Sequence, residues 1–291
     1  MKDNNGSYLD FFLLIPFYNN LTGLIRSIQS VRYNPVNYGI LIVDDGSMVA
    51  LQKSDLADCI KPGLRMEIIR LSENQGITKA LNTGLEWLQE QDTCQYVARL
   101  DCGDLCAESR FHTQIAFLRQ HPDIDLVGSW CVFCNFSTGL SYRYSTPTGH
   151  EKILRGMYFR NLFIHPTVMW KAEASLKTGK YPENFPHAED YGFFYQILNK
   201  GKGAIIPEEL VICEINPKGI SLNFRKGQLK SRMQVVKQYG KNGFFSLLGV
   251  LKIWILLAIP YKMVLQAKKV VYGIKPVRVI ESQKQERLIS H

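Results

Sequence analysis

Tyr96-Val97-Ala98-Arg99-Leu100-Asp101-Cys102-Gly103-Asp104 is the stretch on which the reading of the chain turns. Residues 96–100 are mostly apolar and predict a short buried strand. The strand breaks off into two acids, Asp101 and Asp104, separated by Cys102 and Gly103. In an open α/β sheet, ligands bind beyond the carboxyl ends of the strands. Carboxylates placed there suit a hard cation, which usually arrives with substrate phosphates, or the hydroxyls of a sugar. Asp and Gly also form turns that bind nothing. Taken alone, the stretch supports both readings.

The sequence before it decides between them. Residues 11–16 (Phe-Phe-Leu-Leu-Ile-Pro) predict a buried strand that ends in the loop Phe17-Tyr18-Asn19-Asn20. An Asn cap then opens a helix with Leu21, Leu24, Ile25 and Ile28 at helical spacing. Gly39–Val43 predicts a second buried strand, running straight into Asp44-Asp45-Gly46-Ser47, and residues 66–71 predict a third. The loop 72–76 precedes a helix over 77–90, with Ile77, Ala80, Leu81, Gly84, Leu85 and Leu88 on one face. Strand and helix alternate up to residue 104, which predicts a mostly parallel, three-layer α/β sheet. Parallel strands put their following loops on one edge, so Asp44, Asp45, Asn74 and Asp101 are expected to converge.

The second half is less regular. A helix near 108–120 precedes strand-like residues 124–136, and residues 140–144 read as an edge strand. Phe163–Trp170 reads as extended, because Pro166 disfavours helix at the residue before it. His187-Ala188-Glu189-Asp190 opens a helix whose buried face carries Phe193, Phe194, Ile197 and Leu198, and Gly201 ends it. Asp190 sits at the top of that face. Partial desolvation raises a carboxylate's proton affinity and suits it to act as a general base; the alternative is a plain helix cap.

Bulk properties narrow the classes further. With 291 residues and 46% apolar content, the chain can bury a sizeable core. No signal-peptide pattern is visible, so the active part is expected in the cytoplasm. Seven cysteines, an odd number without a framework, fit reduced thiols. Cys102/Cys106 and Cys131/Cys134 have zinc-like spacing, but the second pair brackets an apolar dipeptide, where Cys packs as a small hydrophobe. Residues 223–291 carry a net charge of +12, against −3 for residues 1–222. The sixteen residues 244–259 are nearly all apolar. As a helix they would span about 24 Å, short of a hydrocarbon core of roughly 30 Å. With Pro260 and then Lys262, Lys268 and Lys269 after it, this segment reads as an interfacial or re-entrant helix on an anionic membrane surface, or else as a core helix. No nucleic-acid motif accompanies the basic residues.

Six segments in order resemble the inverting family-2 glycosyltransferases: Ile15-Pro16-Phe17-Tyr18-Asn19, Ile42-Val43-Asp44-Asp45-Gly46-Ser47, Asn74–Gly84, Ala98-Arg99-Leu100-Asp101, His165-Pro166-Thr167-Val168-Met169 and Ala188-Glu189-Asp190-Tyr191. The resemblance covers residues 10 to about 221. It implies the GT-A fold, a Rossmann-like α/β/α sandwich over residues 1–222, with residues 223–291 as a basic, partly apolar helical appendage. It implies that Pro16 and Tyr18 line the base pocket, that Asp44 and Asp45 meet the base or ribose, and that Asn74, Gly76 and Lys79 border the donor. Asp101 would sit against the ribose and the metal-bound diphosphate, and of the catalytic residues Asp190 and Glu189, Asp190 would be the base that deprotonates an acceptor hydroxyl. The implied cofactor is Mg²⁺ or Mn²⁺. The implied partners are a nucleotide sugar, with UDP as the expected nucleotide, and a glycan or polyprenyl-linked acceptor of surface-polysaccharide synthesis. His165 reads either as a packed, hydrogen-bonded residue or as a catalytic one.

Two departures from the family pattern stand out. Gly103 occupies the position of a metal-binding Asp, leaving Asp104 one residue on as the expected ligand. Asn216 stands where a His is usual. A sugar-nucleotide-binding protein without turnover and a nucleotidyltransferase are the competing classes. The latter would want a Gly-rich basic loop after the first strand, and Phe17-Tyr18-Asn19-Asn20 is not one.

Overall fold

Strand β1 (Leu9–Phe17) runs through the middle of the molecule, and its alternation builds two cores at once. Phe11, Leu13 and Ile15 face one side of the sheet, and Phe12 and Leu14 the other. The computed structural model describes residues 8–215, 224–260 and 263. Around β1 lie β2 (Tyr38–Asp44), β3 (Arg65–Arg70) and β4 (Cys94–Arg99), all parallel. The sheet continues through β5 (Leu105–Cys106), β6 (Ile124–Cys134), β7 (Ser141–Tyr144), β8 (Met169–Lys171) and β9 (Lys202–Glu214). The spatial order is β3-β2-β1-β4-β8-β6-β9-β5, with β7 paired to β6.

β8 is antiparallel to both β4 and β6, so β6, and β9 parallel to it, point the same way as β4. The long strands therefore end on one edge. Helices α1 (Leu21–Gln29) and α3 (Arg110–Gln120) cover one face through Leu24, Ile28, Phe111, Ile115 and Leu118. Helix α2 (Ile77–Gln91) covers the other through Ala80, Leu81, Leu85 and Leu88. This is the three-layer α/β sandwich expected, and α1 is capped as expected, with the Asn20 side chain accepting from Gly23 N at 3.0 Å.

Three features differ from the sequence reading. The stretch around His165 is not extended throughout: His165–Thr167 form a single 3₁₀ turn before β8. Pro166 lies in the first turn, where its missing N–H is not needed. Strand β9, thirteen residues long, was not expected, because Pro207, Glu208 and Glu209 interrupt its apolar pattern. They fall near the irregularity opposite Ser129 and Trp130, where strict pairing lapses. Two short helices, α4 (His150–Met157) and α5 (Ala172–Thr178), were also unread.

Helix α6 (Glu189–Lys200) joins α2 on its face of the sheet, with Phe193, Phe194, Ile197 and Leu198 buried. Helix α7 (Arg225–Tyr239) packs into the same core through Val235 and Val236, both fully buried. Helix α8 (Gly243–Ala258) follows, with the Asn242 side chain accepting from Phe245 N. Its inner face holds Ile253 and Gly249, and a Cβ at Gly249 would stand 2.1 Å from the Tyr158 carbonyl. Its outer face leaves Phe244, Leu247, Leu251, Trp254 and Ile255 exposed. No helix among the described residues is long and apolar enough to cross a membrane. Lys262, Lys268, Lys269, Asn216 and the Ile220-Ser221 pair lie outside the described residues.

Candidate active site

The loop after β2 is built around two buried carboxylates. Asp44 accepts from Ser47 N (2.9 Å), Leu51 N (3.3 Å) and the Arg70 guanidinium (2.8 Å). Asp45 accepts from Gln75 N and Gly76 N at 2.8 and 2.9 Å, which ties this loop to the one before α2. Burial raises the Asp45 carboxyl, and those two N–H groups oppose the rise. Gly46, at φ +67°, lies so close to the Glu73 backbone that a Cβ would stand 2.2 Å away, so only glycine fits both the conformation and the contact. The chain thus spends both acids on its own backbone and on Arg70, and Tyr18 stands exposed after β1.

The loop after β4 is organised by Arg99. Its side chain is fully buried and makes an ion pair with Asp101, with further donation to the Leu14 and Leu100 carbonyls and, at 3.3 Å, to His165 Nε2. Burial alone would raise the Asp101 carboxyl; the guanidinium outweighs it and holds Asp101 below its ordinary range. His165 also meets the Tyr181 hydroxyl at 3.0 Å. Burial and the Arg99 charge push the imidazole down to about 3, so it is neutral.

Gly103, at φ +109°, turns the chain so that Asp104 follows inside the fold. The Asp104 carboxylate accepts from Glu214 N, at the end of β9, at 2.7 Å. Burial first, and then the Asp101 charge, push it well above the carboxylate range. Asp101 and Asp104 carry hard carboxylate oxygens of the kind a divalent cation takes, with Arg99 and Glu214 N already engaging one oxygen of each. Among the described residues no three His, Cys, Asp or Glu side chains converge as a complete metal cage. A cation here would take two carboxylates from the protein and its other ligands from phosphate and water.

Across the same edge stands the start of α6. The Asp190 carboxylate accepts from Asn161 Nδ2 at 2.8 Å and from Tyr191 N at 2.7 Å. Burial raises its proton affinity; the Arg232 charge from α7 opposes this, and the Asp101 charge adds to it. Glu189, only 7% exposed, leaves Oε2 without a hydrogen-bond partner among the described residues. Burial and then the Asp190 charge lift it to about 7, and the charge of Asp101 also acts on it. The acids after β4 and those opening α6 therefore share one electrostatic space. Sequence reasoning gave no role to Arg99, Asn161, Glu214 or Arg232. An arginine inside an otherwise apolar strand was the one local signal for the first of these.

Glu189 makes a stability prediction. Between its ordinary value of 4.5 and about 7, the folded chain holds a proton that the unfolded chain has released. Stability from this group therefore falls as pH rises through that window. Glu189→Gln removes the titration, so the variant is expected to gain Tm relative to wild type between about pH 5 and about pH 8. Thermal melts at the two pH values check it; a Tm difference independent of pH contradicts it.

The glycosyl transferase family 2 model matches residues 12–177, more than half of the chain. The chain belongs to glycosyl transferase family 2. Among its relatives is the Erwinia amylovora amylovoran biosynthesis glycosyltransferase AmsE, 28% identical over 235 residues, 78% of this chain and 84% of that one. Another is the Escherichia coli UDP-Gal:alpha-D-GlcNAc-diphosphoundecaprenol beta-1,3-galactosyltransferase, 25% identical over 216 residues, 74% of this chain and 75% of that one. Similar solved folds include S. aureus TarS 1-349 in complex with UDP-GlcNAc, with a TM-score of 0.62, 16% identity and coverage of 84% of this chain and 72% of that one. The Pyrobaculum calidifontis mannosyltransferase PcManGT in complex with GDP-Man and Mn²⁺ has a TM-score of 0.58, 18% identity and coverage of 96% and 84%. These likenesses make the fold GT-A and this family-2 chain a glycosyltransferase.

Proposed function

We propose that this glycosyltransferase moves one sugar from a UDP-sugar to a lipid-linked glycan, with inversion, in the synthesis of a surface polysaccharide. The observation that supports the reading is that the Asp101 charge, after β4, acts on both Glu189 and Asp190 at the start of α6. The nucleotide lies over the loops after β1 and β2, against Pro16, Tyr18 and the surface fixed by Asp44 and Asp45, with Asn74, Gly76 and Lys79 at its border. Asp190, oriented by Asn161, takes the proton of the acceptor hydroxyl as that oxygen attacks the anomeric carbon and the bond to the nucleoside diphosphate breaks. Glu189, whose carboxyl is raised to about 7 by burial and then by the Asp190 charge, is protonated below that pH and there keeps the pair from carrying two adjacent negative charges.

Asp101 and Asp104 are the residues that would hold Mg²⁺ or Mn²⁺. When bound, such an ion neutralises the charge gathering on a leaving diphosphate. The acceptor class follows from the relatives, one of which is named for a diphosphoundecaprenol substrate, and from the exposed apolar face of α8. That face, and the basic residues that follow it in the sequence, support a peripheral position on the anionic cytoplasmic surface of a membrane.

A panel of nucleotide sugars, scored for binding and for transfer or hydrolysis with and without chelator, tests the reading. The expected result is UDP-sugar turnover that chelator abolishes. Binding without any turnover would leave a sugar-nucleotide-binding protein instead.

A further inference from the structure

Residues 158–161, just after α4, sit where the candidate base meets the C-terminal helices. Asn161 holds Asp190. Arg160 places its guanidinium 5.3 Å from the centre of the Tyr144 ring. Lys252 of α8 donates to the Phe159 carbonyl at 3.4 Å, and its ammonium lies 5.8 Å from the centre of the Phe159 ring. Gly249, three residues earlier, presses α8 against the Tyr158 carbonyl. On α7, Gln228 donates to the His187 carbonyl at 3.1 Å, so this face of the helix looks towards the start of α6. Arg232 lies one turn further along the same face.

Lys252 thus lies within reach of the charges of Arg160 and Arg232, and Arg232 in turn acts on Asp190. Burial, first, and the charges of Arg160 and Arg232 push the Lys252 ammonium below its ordinary range. Among the described residues, neither Arg232 nor Lys252 has a carboxylate within ion-pair distance. The helix that carries Lys252 also carries exposed Leu251, Trp254 and Ile255. Exposed Leu251, Trp254 and Ile255 share α8 with Lys252, Lys252 reaches Phe159, and Asn161, two residues on, holds Asp190. A lipid-linked sugar offers a matching succession of hydrocarbon, diphosphate and sugar hydroxyl. A shallow hollow lined by Asn184, Phe185, Gln234, Lys237 and Gln238 shares no residue with this cluster.

We propose that Arg160, Arg232 and Lys252 bind the diphosphate of a lipid-linked acceptor, laying its hydrocarbon along the outer face of α8 and presenting its sugar to Asp190. The proposal rests on the transferase reading above. Guanidinium groups match phosphate oxygens with two parallel hydrogen bonds each, and the ammonium adds a point charge. Bilayer phosphates offer the same chemistry, so the test must separate the two sources.

The probes are farnesyl diphosphate and farnesol, titrated into the full-length protein in neutral detergent with UDP saturating the donor side. Wild type is expected to bind the diphosphate at least about 10-fold tighter than the alcohol. Arg232→Gln and Lys252→Gln are each expected to weaken diphosphate binding about 10-fold, leaving farnesol and UDP binding unchanged. Retained UDP binding shows that the variants fold, and Arg232→Lys should restore part of the loss. Lys226→Gln, which removes the same charge from an exposed site on α7, should have no effect. Variants that bind farnesyl diphosphate as wild type does would overturn the proposal. So would variants that lose only their binding to phosphatidylglycerol vesicles, because the cluster would then serve the bilayer. If wild type does not bind UDP, the transferase reading fails and this proposal falls with it. UDP binding without a preference for the diphosphate defeats the cluster alone.

Discussion

Asp190→Asn is expected to reduce sugar transfer by about 10² to 10⁴, the usual worth of a general base, while UDP affinity stays within a few-fold of wild type. The amide keeps the shape of the side chain but only one acceptor, where Asn161 and Tyr191 use one carboxylate oxygen each, so retained UDP affinity is the readout that separates a chemical loss from a structural one. Burial raises the Asp190 carboxyl, and a base of raised affinity captures a hydroxyl proton more readily than an ordinary carboxylate. The pH–rate profile of wild type should therefore show its acidic limb displaced upward from the range of a solvated Asp. Steady-state transfer and UDP binding on the same preparation check the prediction. Turnover within a few-fold of wild type would remove Asp190 from the mechanism and leave it as a helix cap.

Arg99→Leu is the substitution expected to cost the most stability. The guanidinium is fully buried and satisfies the Leu14 and Leu100 carbonyls as well as Asp101 and His165. Its loss takes a donor from the Leu100 carbonyl and from Asp101, while the Leu14 carbonyl keeps Leu100 N and His165 keeps the Tyr181 hydroxyl; about 3 kcal/mol is a reasonable scale for breaking such a buried network. Asp101 is partly solvated, so its share of that figure is discounted; the Leu100 carbonyl and the emptied volume of the guanidinium carry most of it. The corresponding fall in Tm is roughly 5–10 °C for a chain of this size. Arg99→Lys should rescue little, because one ammonium cannot serve acceptors arranged around a planar fork. Thermal melts of the two variants test this. An Arg99→Leu variant as stable as wild type would mean that water reaches and satisfies the Leu100 carbonyl.

The first hundred residues were legible because local pattern and tertiary role agree there. β1 and β2 are buried on both faces and read as continuous apolar runs, and α2 carries its buried residues at helical spacing on one side. The second half was not, because its elements depend on distant partners. Strand β9 tolerates Pro207 and two glutamates only because β6 slips in register opposite them. The turn at His165 is settled by β8 behind it rather than by the extended preference of a residue before proline.

The site followed the same division. The acids announced themselves as polar residues ending apolar strands. Their partners did not. Asp104 meets a backbone N–H 110 residues away in sequence, and Asp190 meets Asn161, 29 residues before it. Pairings of that kind are made by topology, which no window of sequence displays. The tail shows the limit from the other side. Its composition marked α8 as apolar, but that Gly249 and Ile253 turn one face inward, leaving Leu251 and Trp254 on the other, needed the helix placed against Tyr158.

A single displacement, assisted by one base at this sheet edge, is the central claim. The anomeric configuration of the transferred sugar tests it most directly. Proton NMR of the product formed from an α-linked UDP-sugar should show a β linkage from the first turnover. An α product would contradict the account, because a single in-line displacement inverts the anomeric carbon.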